Sequence, residues 1–234
     1  MIGVIGGMGP LATADFVRKV VMYTVAEHDH EHVPLLISND PRIASRPAAI
    51  LAGGESPLPR LIDIRDRLIA AGATALVMPC NTAHYWHGAL TRDCALPFPS
   101  IIDVTCDAAV AQTGDGDSVA LIATDATLAS GLFQAGLERS HRKVILPSQE
   151  IVSRYMLPSI ASVKSGKIEQ SAQLMKVTIE HLLGQGASKV ILACTEAPIA
   201  VAGLSGAFDH HCIDSTEALA RATIRLWEQI RVPV

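Results

Sequence analysis

Two segments of the chain place a cysteine directly after an apolar run. The first, GATALVMPCNTAH, spans residues 72–84 and contains Cys80, and the second, GASKVILACTEAP, spans residues 186–198 and contains Cys194. Both begin with Gly-Ala and reach the cysteine after the same number of residues, so the chain carries one cysteine-containing unit twice. In parallel α/β sheets, ligands bind outside the carboxyl ends of the strands. Cysteines at two such strand ends are therefore candidates for chemistry on a ligand.

A pair of thiols can invert a stereocentre. A carbon held between them loses its proton to a thiolate on one face and receives a proton from a thiol on the other, and the roles exchange with the handedness of the substrate. Since an unperturbed cysteine has a pKa of about 8.5, the surroundings must favour the thiolate where a base is needed. Turn amides and a helix N-terminus do so, and they also bind carboxylates. Polar side chains follow both cysteines: Asn81, Thr82, Thr195 and Glu196.

Other interpretations of these residue types compete with the catalytic one. A cysteine after a buried strand is often an inert core residue, but the shared position in a repeat favours catalysis for Cys80 and Cys194. The cysteines outside the repeat are expected to be structural: Cys94, Cys106 and Cys212. The glycine-rich GGMGP at residues 6–10 lacks the GxGxxG spacing and the Lys-Ser/Thr of a P-loop, so it predicts a tight turn that a substrate can approach.

The histidines are better explained by surface and capping roles than by metal binding. His28, His30 and His32 lie among charged neighbours and are expected on a solvated surface. His84 and His87 follow Cys80, but a zinc site needs further ligands that the sequence does not offer. No metal is therefore expected, and His84 is predicted either to cap the turn beside Cys80 or to support the residues around Cys80 without touching the substrate.

Strands and helices alternate along both halves of the chain. The strands are nearly continuous apolar runs separated by helices, which is typical of parallel α/β architecture. In the first half we predict a strand at 2–5, a helix at 11–27, a strand at 33–38, a polar loop at 39–50, a helix at 61–71 and a strand at 75–78. In the second half we predict a strand at 119–123, helices at 130–139 and 168–183, and a strand at 190–192.

A third similarity supports the doubling: IIDVTCDAA at 101–109 resembles CIDSTEALA at 212–220, and both are predicted to place Ile-Asp-x-Thr after a strand. The fold class expected is α/β with two pseudo-symmetric lobes, each a mostly parallel sheet flanked by helices, and with the active site in the cleft between them. The predicted lobes comprise 1–103 plus 214–234, and 104–213. A tail helix is expected to pack on the first lobe through the face that carries Leu219, Ala222, Leu226 and Ile230.

Composition narrows the functional classes. The chain has 234 residues, of which 49% are hydrophobic and 18% charged, as expected of a globular protein with a large core. Its net charge of −4 and the lack of a Lys/Arg cluster argue against nucleic acid as a partner. No apolar run approaches the roughly 18 residues of a membrane span. The start lacks the basic region of a signal peptide, and five widely spaced cysteines are typical of a reducing compartment, so a cytoplasmic location is expected.

Three segments carry a resemblance to a known family: VIGGMGPLATADF at 4–16, MPCNTAH at 78–84 and LACTEAP at 192–198. They resemble the aspartate/glutamate racemase superfamily, most closely its cofactor-independent aspartate racemases, and the similarity extends over nearly the whole chain. The resemblance implies two pseudo-symmetric α/β lobes, a homodimer, no cofactor and a small acidic amino acid as substrate. It also implies that Cys80 and Cys194 are the catalytic acid and base.

The same resemblance suggests substrate-binding residues. Arg46 and Lys164 match basic residues that aspartate racemases use to bind substrate carboxylate, and Thr127 is expected to line the site. Met8 and Glu196 lie where glutamate racemases of the superfamily carry Asp and His, and both differences favour the aspartate branch. The other substrate-binding candidates are the residues that follow the two cysteines: Asn81, Thr82 and Thr195.

The function predicted from the sequence is interconversion of L- and D-aspartate by proton transfer between two thiols, without pyridoxal phosphate. Glutamate or another amino acid is an alternative substrate. A decarboxylase or cis–trans isomerase of small dicarboxylates from the same superfamily is a second alternative. A two-lobed protein that binds small acids without catalysis is a third, and it is distinguished from a racemase by ligand-induced thermal stabilisation without exchange of the α-proton.

Overall fold

The computed structural model describes residues 1–231 and contains two compact units. The first unit comprises Met1–Ile101 together with the chain from Thr216 onward, and the second comprises Ile102–Ser215. Residues 232–234 of the predicted tail lie outside the described part of the chain.

The elements alternate between strand and helix. From the N-terminus they are β1 (Ile2–Gly6), α1 (Pro10–Tyr23), β2 (Leu35–Asn39), α2 (Arg46–Leu51), α3 (Leu58–Ala70), β3 (Ala75–Val77), α4 (His87–Thr91) and α5 (Ile101–Val110). They continue with β4 (Ser118–Ala123), α6 (Asp125–Ser130), α7 (Leu132–Arg139), β5 (Lys143–Ile145), α8 (Gln149–Ile151), α9 (Leu157–Lys164), α10 (Ile168–Gly184), β6 (Lys189–Ala193), α11 (Ala197–Ala202), β7 (Cys212–Asp214) and α12 (Ser215–Ile230). Short 3₁₀ helices span Asp29–Glu31 and Thr82–Trp86, and a π-helical turn spans Val152–Met156.

The first unit is built on a three-stranded parallel sheet in the order β2-β1-β3. Ile2 pairs with Leu35 on one side and with Ala75 on the other. All five residues of β1 are buried, as expected for a central parallel strand that reads as a continuous apolar run. Because the strands are parallel, the carboxyl ends of β1, β2 and β3 lie at the same edge of the sheet.

The second unit is built on a four-stranded parallel sheet in the order β5-β4-β6-β7. Ala123 at the end of β4 pairs with Ala193 at the end of β6, and β7 adds a fourth strand beside β6. The order β2-β1-β3 therefore recurs as β5-β4-β6. The predicted α/β class with two parallel sheets flanked by helices is confirmed.

Several predicted boundaries were wrong for local reasons. The predicted helix 11–27 ends at Tyr23, and Val25 is fully exposed beyond it. The predicted polar loop 39–50 contains α2, because Ser45 accepts a hydrogen bond from the amide of Ala48 and caps a helix that has proline near its start. The predicted helix 130–139 begins slightly later, as α7 at Leu132, because Gly131 with φ of 69° separates it from α6, a helix that was not predicted.

The similarity between 101–109 and 212–220 does not extend to structure. In the second unit Cys212–Asp214 is a strand that pairs with β6. The matching residues 101–109 lie inside α5, and the segment before them makes a backbone hydrogen bond from the Leu76 amide to the Pro97 carbonyl, 2.9 Å long. The prediction that Ile-Asp-x-Thr follows a strand at both positions was therefore wrong, since in 101–109 it lies within a helix and in 212–220 the strand includes its Ile-Asp.

Helix α12 belongs to the first unit from Thr216 onward. Leu219 and Ala222 are buried on its inner face, while Leu226 and Ile230 are partly buried. The Tyr23 hydroxyl at the end of α1 donates to Glu217 over 3.0 Å. No helix within residues 1–231 is both long and apolar enough to cross a membrane.

Candidate active site

Cys80 lies three residues beyond the end of β3, at the carboxyl edge of the first sheet. Its backbone amide donates to the carbonyl of Met78 over 2.8 Å, which bends the chain sharply before the following 3₁₀ helix. The side chain is only 4% exposed and belongs to an apolar cluster that also contains Met8, Ile43 and Ala83. Strand register and this tight turn together fix where the sulfur lies.

His84 holds the Cys80 turn through both of its ring nitrogens. Nδ1 lies 2.8 Å from the Cys80 carbonyl oxygen, and Nε2 lies 3.0 Å from the backbone nitrogen of Ile101. An amide N–H can only donate, so Nε2 must accept, and Nδ1 carries the ring proton and donates to Cys80. Burial and the neighbouring His87 lower the pKa of His84 to about 3, so the ring is neutral near pH 7.

Cys194 directly follows β6, at the carboxyl edge of the second sheet. Its thiol donates to Glu196 Oε2, with 3.1 Å between sulfur and oxygen. Burial and the adjacent Glu196 carboxylate raise the pKa of Cys194 well above its ordinary value, while Lys164 acts in the opposite direction. Cys194 is therefore a thiol near neutral pH.

Glu196 is buried, with 3% of its surface exposed. Its second oxygen, Oε1, accepts no hydrogen bond from the residues that the structure describes and lies 4.0 Å from Lys164 Nζ. The Lys164 side chain is 51% exposed, so its ammonium group is solvated while it neutralises part of the buried charge. This arrangement brings together three predicted site residues of the second unit: Cys194, Glu196 and Lys164.

The two threonines of the second unit that were predicted to bind substrate, Thr127 and Thr195, are buried. Thr127 lies in α6, and its hydroxyl is 2.9 Å from that of Thr124, which also accepts from the Thr127 amide and caps the helix. Thr195 is 1% exposed and lies between Cys194 and Glu196. In the first unit Asn81 and Thr82 are likewise buried directly after Cys80.

Arg46 begins α2, beyond the carboxyl end of β2. Its Nη1 donates to the carbonyls of Ile43 and Ala44 over 3.1 and 3.0 Å. Its Nε is buried and has no hydrogen-bond partner within residues 1–231. The guanidinium is thus held by its own loop and keeps one donor available.

A salt-bridge cluster that the sequence analysis missed anchors the same loop. Asp40 accepts from Arg42 Nε over 2.9 Å and from Arg60 Nε over 3.0 Å. Hydrogen bonds from Arg42 and Arg60 hold the pKa of this carboxyl well below its usual range. Arg60 lies in α3, so the cluster ties the end of β2 to that helix. The Asp-x-Arg spacing in NDPR was the only sequence signal.

The GGMGP turn packs directly against the backbone of Asp40. Gly7 has φ of 98°, and a Cβ there would come within 2.2 Å of the Asp40 carbonyl oxygen. The Gly7 amide donates to the Thr13 hydroxyl over 3.0 Å. Only glycine tolerates both this positive φ and this close approach, so the predicted tight turn is present, and it places buried Met8 in the apolar cluster that contains Cys80.

The other cysteines have different surroundings. Burial raises the pKa of Cys106 and of Cys212 to about 12 in each case, so both are thiols near neutral pH. Cys94 is partly exposed. No group of three or more His, Cys, Asp or Glu side chains in the described range is arranged to hold a metal ion.

The chain matches the family model described as Asp/Glu/Hydantoin racemase over residues 5–223. Among solved structures it is similar to the aspartate racemase of Picrophilus torridus, with a TM-score of 0.85 and 32% identity over 96% of this chain and 93% of that one. It is 26% identical to the broad-specificity amino-acid racemase RacX of Bacillus subtilis strain 168, over 96% of each chain.

A more distant likeness concerns the fold alone. The glutamate racemase of Francisella tularensis, solved with D-glutamate, has a TM-score of 0.68 and 18% identity, over 97% of this chain and 80% of that one. The family predicted from the sequence motifs is confirmed by the match over most of the chain and by the Picrophilus structure. The chain belongs to the Asp/Glu/Hydantoin racemase family.

Proposed function

We propose that this racemase interconverts L- and D-aspartate, with Cys80 and Cys194 as its two acid/base groups. The observation that carries the proposal is the hydrogen bond from the Cys194 thiol to buried Glu196. Inversion requires one sulfur to give a proton while the other takes one. Glu196 keeps Cys194 protonated in the resting protein. Cys194 is therefore proposed as the acid for one enantiomer, and Cys80 as the base.

In the proposed reaction the substrate loses one proton and gains one. The Cys80 thiolate removes the α-proton of one enantiomer, and the Cys194 thiol delivers its proton to the opposite face of the same carbon. The product is the other enantiomer, Cys80 is a thiol and Cys194 is a thiolate. The reverse reaction restores the first state. Lys164, 4.0 Å from Glu196, offsets part of the negative charge that develops beside Cys194.

Two cationic side chains support an acidic substrate. Arg46 keeps a buried Nε donor, and a guanidinium suits bidentate binding of a carboxylate. Lys164 offers a half-exposed ammonium group beside the Cys194 turn. Met8, Asn81, Thr82, Thr127, Thr195 and Glu196 complete the proposed substrate-binding set. The choice of aspartate is supported by the 32% identity to the Picrophilus enzyme.

Other amino acids remain alternative substrates, and the relation to RacX supports a broader range. Side chains that differ by one methylene group are discriminated by only about 1–3 kcal/mol in a pocket. A comparison of aspartate with glutamate and with neutral amino acids therefore measures the specificity directly.

The deciding experiment follows the α-proton of L-aspartate by NMR in deuterated water, with the reduced protein, while polarimetry follows optical rotation. We expect loss of the α-proton together with decay of rotation. Cys80→Ala and Cys194→Ala should each abolish racemisation, and Cys94→Ala, outside the proposed site, should retain it. Near-normal turnover by either of the first two variants contradicts the two-thiol mechanism, and no exchange with any amino acid contradicts the proposed function.

A further inference from the structure

His84 follows Cys80 by four residues and is not among the groups proposed to touch substrate. Its ring is 4% exposed, and its two nitrogens bond to two backbone groups that lie 21 residues apart in sequence, the Cys80 carbonyl and the Ile101 amide. The bond to Ile101 satisfies an N–H at the start of α5 that the helix itself cannot satisfy. One side chain thus joins the turn after β3 to the start of the next long helix.

This bridge fixes the orientation of the peptide that carries the cysteine. A peptide unit is planar, and in the trans form its carbonyl and amide groups point in opposite directions. When the Cys80 carbonyl is held toward Nδ1 of His84, the direction of the Asn81 amide is set as well. The Cα–Cβ bond of Cys80 is fixed by the same constraint together with the β3 register.

A second ring keeps the imidazole in place. His87 stacks on His84 with 5.0 Å between ring centroids and 14° between ring planes. Nε2 of His87 lies 2.9 Å from the Phe98 carbonyl oxygen, so it donates to the same segment that ends at Ile101. The His84 ring therefore has little freedom to rotate, and the direction of its Nδ1–H toward the Cys80 carbonyl is fixed.

We propose that His84 is a positioning residue, which holds the Cys80 sulfur in line for α-proton transfer by donating from Nδ1 to the Cys80 carbonyl, while the Ile101 amide orients the ring. The inference rests on the proposed function. His84 moves no proton itself, because its Nε2 is occupied by an amide donor and its Nδ1–H by a carbonyl. A displacement of about 1 Å in a reacting group can cost on the order of 100-fold in rate, so a side chain remote from the reacting atoms can control turnover.

Two substitutions separate the two hydrogen bonds. In His84→Asn the amide nitrogen occupies the place of Nδ1 and can still donate to Cys80, whereas in His84→Gln the amide oxygen reaches the place of Nε2 and can accept only from Ile101. We expect kcat of His84→Gln to fall about 10- to 100-fold with KM unchanged. His84→Asn should retain most of the wild-type kcat. Tyr85→Gln, on an exposed neighbour in the same turn, is the matched control.

A readout that does not need the racemase reaction is alkylation of Cys80 by iodoacetamide, followed by peptide mass spectrometry. In His84→Gln the loosened turn should make Cys80 react at least about threefold faster, while Cys194 reacts at the wild-type rate as an internal reference. In His84→Asn both rates should match the wild type. A general loss of stability would instead change both cysteines in both variants.

The outcomes separate the inference from the function on which it rests. A wild-type protein that exchanges no α-proton overturns the proposed function. The difference in Cys80 alkylation between the two His84 variants would still test whether His84 holds the Cys80 turn. Equal kcat and equal Cys80 alkylation in His84→Gln and His84→Asn overturn the positioning role. Loss of kcat only in His84→Gln, with KM unchanged and Cys80 alone more reactive, supports it.

Discussion

Cys80 follows β3, which lies beside β1, and Cys194 follows β6, which lies beside β4 in the same way. The groups around the two sulfurs nevertheless differ. A neutral imidazole holds the backbone of Cys80 and leaves the charge of the turn unchanged. A buried carboxylate accepts a hydrogen bond from the Cys194 thiol and keeps that cysteine protonated. The repeat supplies two similar positions, and the residues that follow each cysteine make them chemically unequal.

This inequality matters for a reaction between enantiomers. Their free energies are equal, so the two directions must have the same kcat/KM, but kcat and KM individually follow the protonation state that each enantiomer requires. If Cys194 rests as the thiol, the enantiomer that needs Cys194 as base meets the less populated form of the enzyme.

Glu196→Gln should remove most of the difference between the two turns. Without the carboxylate, the pKa of Cys194 should fall toward its ordinary range, because one of the two causes that raise it is lost. We expect kcat to fall about 100-fold, as for loss of a general acid–base partner, and Cys194 to alkylate faster near pH 8.

Glu150→Gln is the control for that substitution, since Glu150 is exposed in the same unit and pairs with Arg154. It should change neither kcat nor the alkylation of Cys194. An alkylation rate of Cys194 that is the same in Glu196→Gln and in the wild type would show that the carboxylate does not set its protonation.

Gly7→Ala tests whether the loop beside Cys80 is as tightly constrained as its backbone indicates. A Cβ at residue 7 meets the Asp40 backbone at φ of 98°, whereas Gly53 also has a positive φ, 64°, but no atom within 4 Å of its Cβ position. We expect Gly7→Ala to lower the free energy of unfolding by about 3 kcal/mol or more, and Gly53→Ala by about 1 kcal/mol. Urea unfolding measures both, and equal losses would contradict the close approach.

The repeat in the sequence predicted the position of both cysteines after strands and the presence of two parallel sheets. Apolar runs followed by cysteine located both sulfurs at strand ends, and the same pattern gave two parallel sheets. Local patterns were less reliable where single contacts decide the structure. The segment 101–109 resembles 212–220, but only the latter begins with a strand beside β6.

Contacts between distant residues were not predictable from spacing. The His84 ring reaches the Ile101 amide, and Arg60 reaches Asp40 across 20 positions of sequence. Two patterns are involved: a histidine four residues after a cysteine, and an Asp-x-Arg turn. Both are common, and each is compatible with many different side-chain contacts. Side-chain packing chooses among those outcomes, and a single sequence does not report it.

Lys164→Gln should weaken substrate binding and further raise the pKa of Cys194, since Lys164 opposes the two causes that raise it. We expect KM for aspartate to rise about tenfold, as for loss of one charged contact. Lys176→Gln is a matched control, because Lys176 is 48% exposed and pairs with Glu180 at 3.8 Å. An unchanged KM in Lys164→Gln would place the substrate carboxylate elsewhere.

Asp40→Asn tests the smallest effect, the electrostatic anchoring of the loop that carries Arg46. The folded pKa of Asp40 is depressed, so its contribution to stability is present above the unfolded pKa of about 3.9 and is lost as the pH falls through the lower folded value. Urea unfolding should therefore show a stability gap between wild type and Asp40→Asn near pH 7 that narrows below about pH 4. Asp63→Asn, which removes a half-exposed partner of Arg60, should give a smaller gap near pH 7. A gap for Asp40→Asn that stays constant down to acidic pH would mean that the carboxylate acts through shape and not through charge, and the two arginines would then not be what holds the Arg46 loop in place.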